Sequence, residues 1–277
     1  MQNKDKIRIL MFGDVVGGVG RMVLQKHLPH LKEKYKADAV IVNGENSAEG
    51  KGITSRIMKF YRHIGVDVVT SGNHIWQKRE IYNYFGQNKD LLRPANFPSE
   101  CPGSGITFFQ VKGYTVAVMN IQGRVFMREL LSCPFKTADS QLTFLKSKTN
   151  IILVDFHAET TSEKHGIGFY LDGKVSAVVG THTHVQTADE RILPGGTAYI
   201  TDLGMAGSYY SMIGMKKDPI INHMITQMPQ KFEVETEGPY LLCGVSITID
   251  ANSGKAESIE RIFVVDNELK YSGEHEE

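Results

Sequence analysis

Five short apolar runs, each ending in a polar turn, constrain this chain more than any other feature. They read IRILMFGD, DAVIVNGEN, VDVVTSGNH, NIILVDFHAE and VSAVVGTHTH. Each is rich in Val and Ile and closed by Gly, Asn or Asp, the pattern of a buried strand running into a turn. Helix-periodic segments separate the first three, so a βαβαβ unit with a parallel sheet and right-handed crossovers is expected. The turns carry Asp14, Glu45, Asn73, His74, His157, His182 and His184. Ligands of open α/β sheets gather outside the carboxyl ends of strands, so these groups are expected to meet at one sheet edge as a polynuclear metal site.

The segment GRMVLQKHLPHLKEKY reads as the first helix, which Pro29 should kink or shorten. Further helices are expected near SRIMKFYRHI and KREIYNYF. From Ile106 the texture turns to strand: ITFFQVKGYTVAVMNIQ reads as a hairpin split at Lys112 and Gly113. ADSQLTFLKS reads as a helix before NIILVDF, and VSAVVG follows after a Gly-containing turn. TAYITDL, YLLCGVSITID and ESIERIFVVD close the chain as strands. With no linker-like tract or repeat, the expectation is one domain over residues 1–277, with 271–277 as a tail.

The 31 basic and 31 acidic residues cancel, which argues against a duplex-binding protein. A local rim of Lys51, Arg56, Lys59, Arg62, Lys78 and Arg79 could still face an anionic substrate, or be an ordinary solvated surface. Cys101, Cys133 and Cys243 are widely spaced without a CxxC pair, as in a reducing compartment. No run approaches the roughly 18 apolar residues of a membrane span. A soluble, cytoplasmic protein is expected.

Two Gly-rich segments imitate nucleotide motifs and fail them. GDVVGGVGR lacks GxGxxG spacing and puts Asp14 where a pyrophosphate would be repelled, while NGENSAEGKGIT misses the P-loop by one residue. Glu45 in the second is more informative, since one carboxylate can bridge two cations. His182 and His184, two apart in an expected extended segment, should share a face, a moderately specific metal signal. His27, His30, His63, His165, His223 and His275 lie outside these clusters and read as structural.

The order Asp, Glu, Asn-His, His, His-x-His resembles the calcineurin-like metallophosphoesterase superfamily. GDVVGGVGR, NGEN, SGNH, DFHAE and GTHTHVQTADERILPGGTAYITDLGM together resemble its bacterial YmdB family over nearly the whole chain. The resemblance implies an α/β fold, a four-layer αββα sandwich of two mixed sheets with flanking helices. It implies a two-metal centre that hydrolyses phosphodiesters, with cyclic nucleotides as substrate class. One metal would take Asp14, Glu45 and His184 with Asn46 nearby; the other would take Glu45, Asn73, His157 and His182. His74 would face the substrate. Asp14 lacks the usual DxH partner, and Glu45 replaces the usual bridging Asp. Nitrogen and oxygen donors without thiolate favour iron or manganese, admit zinc and suit magnesium poorly.

The expected reaction is attack of an activated water on phosphorus, with His74 protonating the leaving oxygen. An amidohydrolase would place His-x-His on the first strand, where this chain has Asp14. A phosphodiesterase acting on RNA, or a metal-stabilised RNA-binding regulator, is the alternative. The hairpin and late strands could support a homo-oligomer.

Overall fold

Alternation along the first strand, β1 (Lys6–Val15), sets the layers of the molecule: Ile7, Ile9 and Met11 point to one side, Leu10 and Phe12 to the other. The computed structural model describes residues 6–273. After β1 come α1 (Gly17–Tyr35), β2 (Ala39–Asn43), α2 (Ser55–His63), β3 (Val68–Thr70) and α3 (Ile81–Phe85). The hairpin β4 (Ile106–Val111) and β5 (Tyr114–Gln122) follows, then α4 (Pro134–Lys146), β6 (Ile151–His157), α5 (Thr161–Leu171) and β7 (Ala177–Thr181). The rest is β8 (Arg191–Ile192), β9 (Ala198–Ile200), β10 (Met205–Ser208), α6 (Lys217–Thr226), β11 (Tyr240–Asp250) and β12 (Ala256–Asp266).

Two six-stranded sheets result, ordered β12-β11-β10-β1-β2-β3 and β4-β5-β6-β7-β9-β8. Both are mixed. β1, β2, β3 and β10 are parallel while β11 runs against them and β12 against β11; β5, β6, β7 and β9 are parallel, with β4 and β8 antiparallel at the edges. The sheets share an apolar core in which Ile9, Ile41 and Ile247 of the first meet Val118, Leu153 and Val179 of the second. Helices α1 and α2 cover the outer face of the first sheet, and α4 and α5 that of the second. Among the described residues, no helix is long and apolar enough to cross a membrane.

Several elements differ from the expectation. Pro29 does not end α1, which runs for 19 residues. An internal Pro costs about 3 kcal/mol, but Leu24, Leu28 and Leu31 are buried on this helix, each contributing about 1.5–3 kcal/mol. α5 replaces the plain turn expected before VSAVVG. Its Gly168 packs against Tyr199, where a Cβ would lie 2.4 Å from the ring, so tertiary packing selects a residue that weakens the helical signal. α6, β8 and β10 have no counterpart in the sequence reading. Of the proposed tail, Tyr271 donates its N–H to the Tyr240 hydroxyl at 3.2 Å and packs on the core; residues 274–277, with His275, lie outside the described part.

Candidate metal centre

The turns that follow β1, β2 and β3 meet those that follow β6 and β7, so the donors come from two sheets rather than the single edge expected. Asp14, Glu45 and Asn73 are carried by the first sheet and its turns, His157, His182 and His184 by the second. A parallel strand ends with its turn at the carboxyl side, and stacking two such sheets in the same sense superposes those ends.

Nε2 of His157 is the focus. It stands 3.1 Å from Glu45 Oε1, 3.0 Å from Asn73 Oδ1 and 3.0 Å from His182 Nδ1. Ligand atoms of Glu45, His157 and His182 all lie within 4.8 Å of one another. Asp14 is fully buried; its Oδ2 accepts the His182 N–H at 3.0 Å, while Oδ1, 3.7 Å from His184 Nε2, has no hydrogen-bond partner. Asn46 Oδ1 is likewise buried without a partner, its Nδ2 donating to the Gly50 carbonyl at 2.9 Å. Unpaired buried oxygens are costly, and two of them beside a nitrogen and oxygen donor set fit divalent cations. His74 sits at the rim: its N–H donates to Glu45 Oε2 at 3.1 Å, and its Nδ1 lies 3.2 Å from both Glu45 Oε1 and Asn46 Nδ2.

The local backbone explains the placement. Gly13 lets β1 pass Gly204, whose carbonyl accepts the Asp14 N–H at 3.0 Å; a Cβ there would fall 1.9 Å from that oxygen. His182 and His184 do not share a strand face as expected. β7 ends at Thr181, and both histidines are left-handed, with φ of 104° and 65°, so a tight turn rather than strand alternation delivers the two rings. Three backbone N–H groups of this turn and of the segment around Gly204 are engaged internally: His182 donates to Asp14, and Thr183 and Gly204 to Asp202.

Groups behind the donors set the ring tautomers. Thr181 Oγ1 donates to Asp155 Oδ1 at 2.7 Å, so it accepts from His157 Nδ1 at 2.9 Å and turns Nε2 into the site. His184 Nδ1 donates to the Ile213 carbonyl at 2.8 Å, which turns its Nε2 lone pair towards Asp14. Glu159 Oε2 holds His182 Nε2 at 3.1 Å. Asp155 also accepts from Asn43 and Thr70, tying the two sheets together directly beneath the site. The sequence singles out none of these supporting residues; Thr181 and Glu159 sit within the motifs, but only their spatial neighbours reveal what they do.

The electrostatics follow from burial and crowding. Burial pushes the Asp14 carboxyl up, against the pull of His184 and His157. Burial acts on Glu45 in the same direction but is outweighed by His157 and His74, which hold it well below the usual range. Burial disfavours the charged His157 ring, yet Glu45 pushes it up to about 9. His182, desolvated and beside that charge, drops to about 3.

A family model described as YmdB-like protein matches residues 10–262. The chain is 49% identical over 263 residues to a Bacillus subtilis (strain 168) protein named 2′,3′-cyclic-nucleotide 2′-phosphodiesterase, covering 95% of this chain and 99% of that one. It superposes on the crystal structure of a novel phosphatase from Mycoplasma pneumoniae with a TM-score of 0.88 at 37% identity, over 95% of each chain. A crystal structure of a hypothetical protein from Thermus thermophilus gives a TM-score of 0.86 at 37% identity, over 94% of this chain and all of the other. The resemblance carried by the motifs and the αββα layering are both borne out. With every donor from Asp14 to His184 inside the matched span, the chain belongs to the YmdB-like family.

Proposed function

We propose that this chain is a metal-dependent phosphodiesterase that opens cyclic nucleotides, with 2′,3′-cyclic nucleotides the favoured class. The convergence of Glu45, Asn73 and His182 on His157 Nε2 carries this reading, and the 49% identity to the Bacillus subtilis protein of that name supports the substrate class. Asp14, Glu45 and His184, with Asn46, would hold one cation; Glu45, Asn73, His157 and His182 would hold the other, with Glu45 bridging. The donor set suits iron or manganese and admits zinc. Bound there, divalent cations would supply Lewis acidity to the phosphoryl group and acidify the attacking water.

The chain's own residues do the rest. Thr181 and the Ile213 carbonyl fix the tautomers of His157 and His184, so neither ring has to reorganise on loading. His74 keeps Nδ1 turned inward to Glu45 and Asn46, which leaves Nε2 to meet the substrate. There it donates a proton to the departing ribose oxygen, a poor leaving group near neutral pH. RNA is the second reading: Arg62 and Lys78, two of the six residues of the expected basic rim, pair with Asp90 and Glu49.

The test is a hydrolysis screen of the Mn²⁺-loaded chain against 2′,3′-cyclic AMP, 3′,5′-cyclic AMP and a short RNA. Fastest turnover of the first is expected. Turnover of RNA alone would overturn the substrate class, and no turnover of any would overturn the reaction.

A further inference from the structure

Lysine is almost never fully buried without a partner, yet Lys164 of α5 is 1% exposed. Its Nζ meets Asp202 Oδ2 at 2.6 Å, and Asp202 is equally buried. The lysine stem crosses Gly180 of β7, where an added Cβ would come within 3.1 Å of Cδ. It therefore reaches the site end of the second sheet from the outer helix layer.

The carboxylate it meets is shared. Asp202 Oδ2 also accepts from the Thr183 N–H at 3.1 Å and the Thr183 hydroxyl at 2.8 Å, while Oδ1 accepts from the Gly204 N–H at 2.8 Å. Thr183 lies between His182 and His184, and the Gly204 carbonyl accepts the Asp14 N–H at 3.0 Å. One buried carboxyl group thus holds the turn that delivers two rings and the backbone that aligns Asp14. That turn needs holding, because both of its histidines are left-handed and non-glycine residues persist there only when their surroundings fix them. Fold stability alone does not call for the pair, since apolar residues of similar volume commonly do as well in a core.

We propose that the Lys164–Asp202 pair is a positioning device for the metal centre, clamping the His182–His184 turn and Asp14 in the arrangement that receives the cations. This rests on the two-metal reading above. Lys164 keeps Asp202 directed, and Asp202 converts that into fixed positions for the three candidate donors. Neither residue touches the reacting atoms.

The experiment is a Mn²⁺ titration of the purified chain, of Lys164→Met and of Thr183→Val, each paired with the melting temperature of the metal-free protein. Lys164→Met should bind Mn²⁺ about 10–100-fold more weakly, the range for loss of a group that orients metal ligands. Thr183→Val leaves the ion pair intact and severs only the hydroxyl link, so it should weaken binding by a smaller factor with an unchanged melting temperature. Should Lys164→Met fail to fold, Thr183→Val decides. Wild-type affinity in whichever variants fold would overturn the proposal and leave the pair a structural one. Failure of the unaltered chain to bind Mn²⁺ would instead sink the two-metal reading itself.

Discussion

Although burial disfavours a charged imidazole, Glu45 pushes His157 up to about 9, so at neutral pH a cation held by this ring, as proposed, would have to displace its proton. Loading should release about one proton per chain near neutral pH, and apparent affinity should fall about tenfold per pH unit below about 9. Calorimetry in buffers of different ionisation enthalpy reads this directly; binding without proton release would remove His157 from the donor set. His74 differs in kind from its neighbours. His74→Ala should keep its metals and lose roughly 10²-fold or more on a cyclic nucleotide, with a much smaller loss on bis-p-nitrophenyl phosphate, whose phenolate leaves unaided. Equal losses on both would make His74 a positioning residue. The candidate donors are legible in the sequence, because carboxylate, amide and imidazole groups each follow an apolar run. Asp155, Thr181, Lys164 and Asp202 are not, since a buried Thr or Lys declares its role only through partners distant in the chain.

Among the elements, the strands can be read from sequence and the turns much less so. The Val- and Ile-rich runs ending near Asp14, Asn43, Thr70, His157 and Thr181 are strands as expected, because alternation and β-branching speak through local sequence alone. The left-handed His182 and His184 have no such signal: nothing local favours φ > 0 at histidine over an extended course. Gly72 shows how closely the turn after β3 is fitted to the site. A Cβ there would lie 2.1 Å from His157 Cδ2 and 2.4 Å from Glu45 Oε2. Gly72→Ala should therefore displace both side chains and reduce activity by roughly 10²-fold, with metal affinity falling in parallel. An Ala variant with wild-type affinity and rate would show that Glu45 and His157 are not held at this spacing.

Across the whole molecule, two sheets that each bury an apolar face leave their polar strand ends superposed, and Asp155, bonded to both, fixes the sheets where the donors meet. The outer layers need their own fastening. Asp266, at the end of β12, accepts from Lys26 at 2.6 Å and His27 at 2.8 Å on α1, and from the N–H groups of Glu268 and Leu269 at 2.9 Å each. Burial raises its pKa, but these partners outweigh it and hold the carboxyl well below its usual value. The folded protein therefore binds this proton less readily than the unfolded chain does. The stabilisation is complete above the unfolded value of about 3.9 and lost as pH falls through the folded one. Asp266→Asn should cost about 1.5–3 kcal/mol near neutral pH, and the difference from wild type in denaturant melts should shrink below about pH 4. A gap independent of pH would mean that the charge contributes nothing.

The most direct test of the proposed two-metal centre is elemental analysis of the metal-loaded wild-type chain beside Glu45→Gln, with circular dichroism to verify that both are folded. Glu45 is the carboxylate placed against both His157 and His74, and a neutral amide cannot offset two cations. Two metal ions per chain are expected in the wild type and loss of both in the variant, together with its activity; two ions retained by folded Glu45→Gln would contradict the bridging centre.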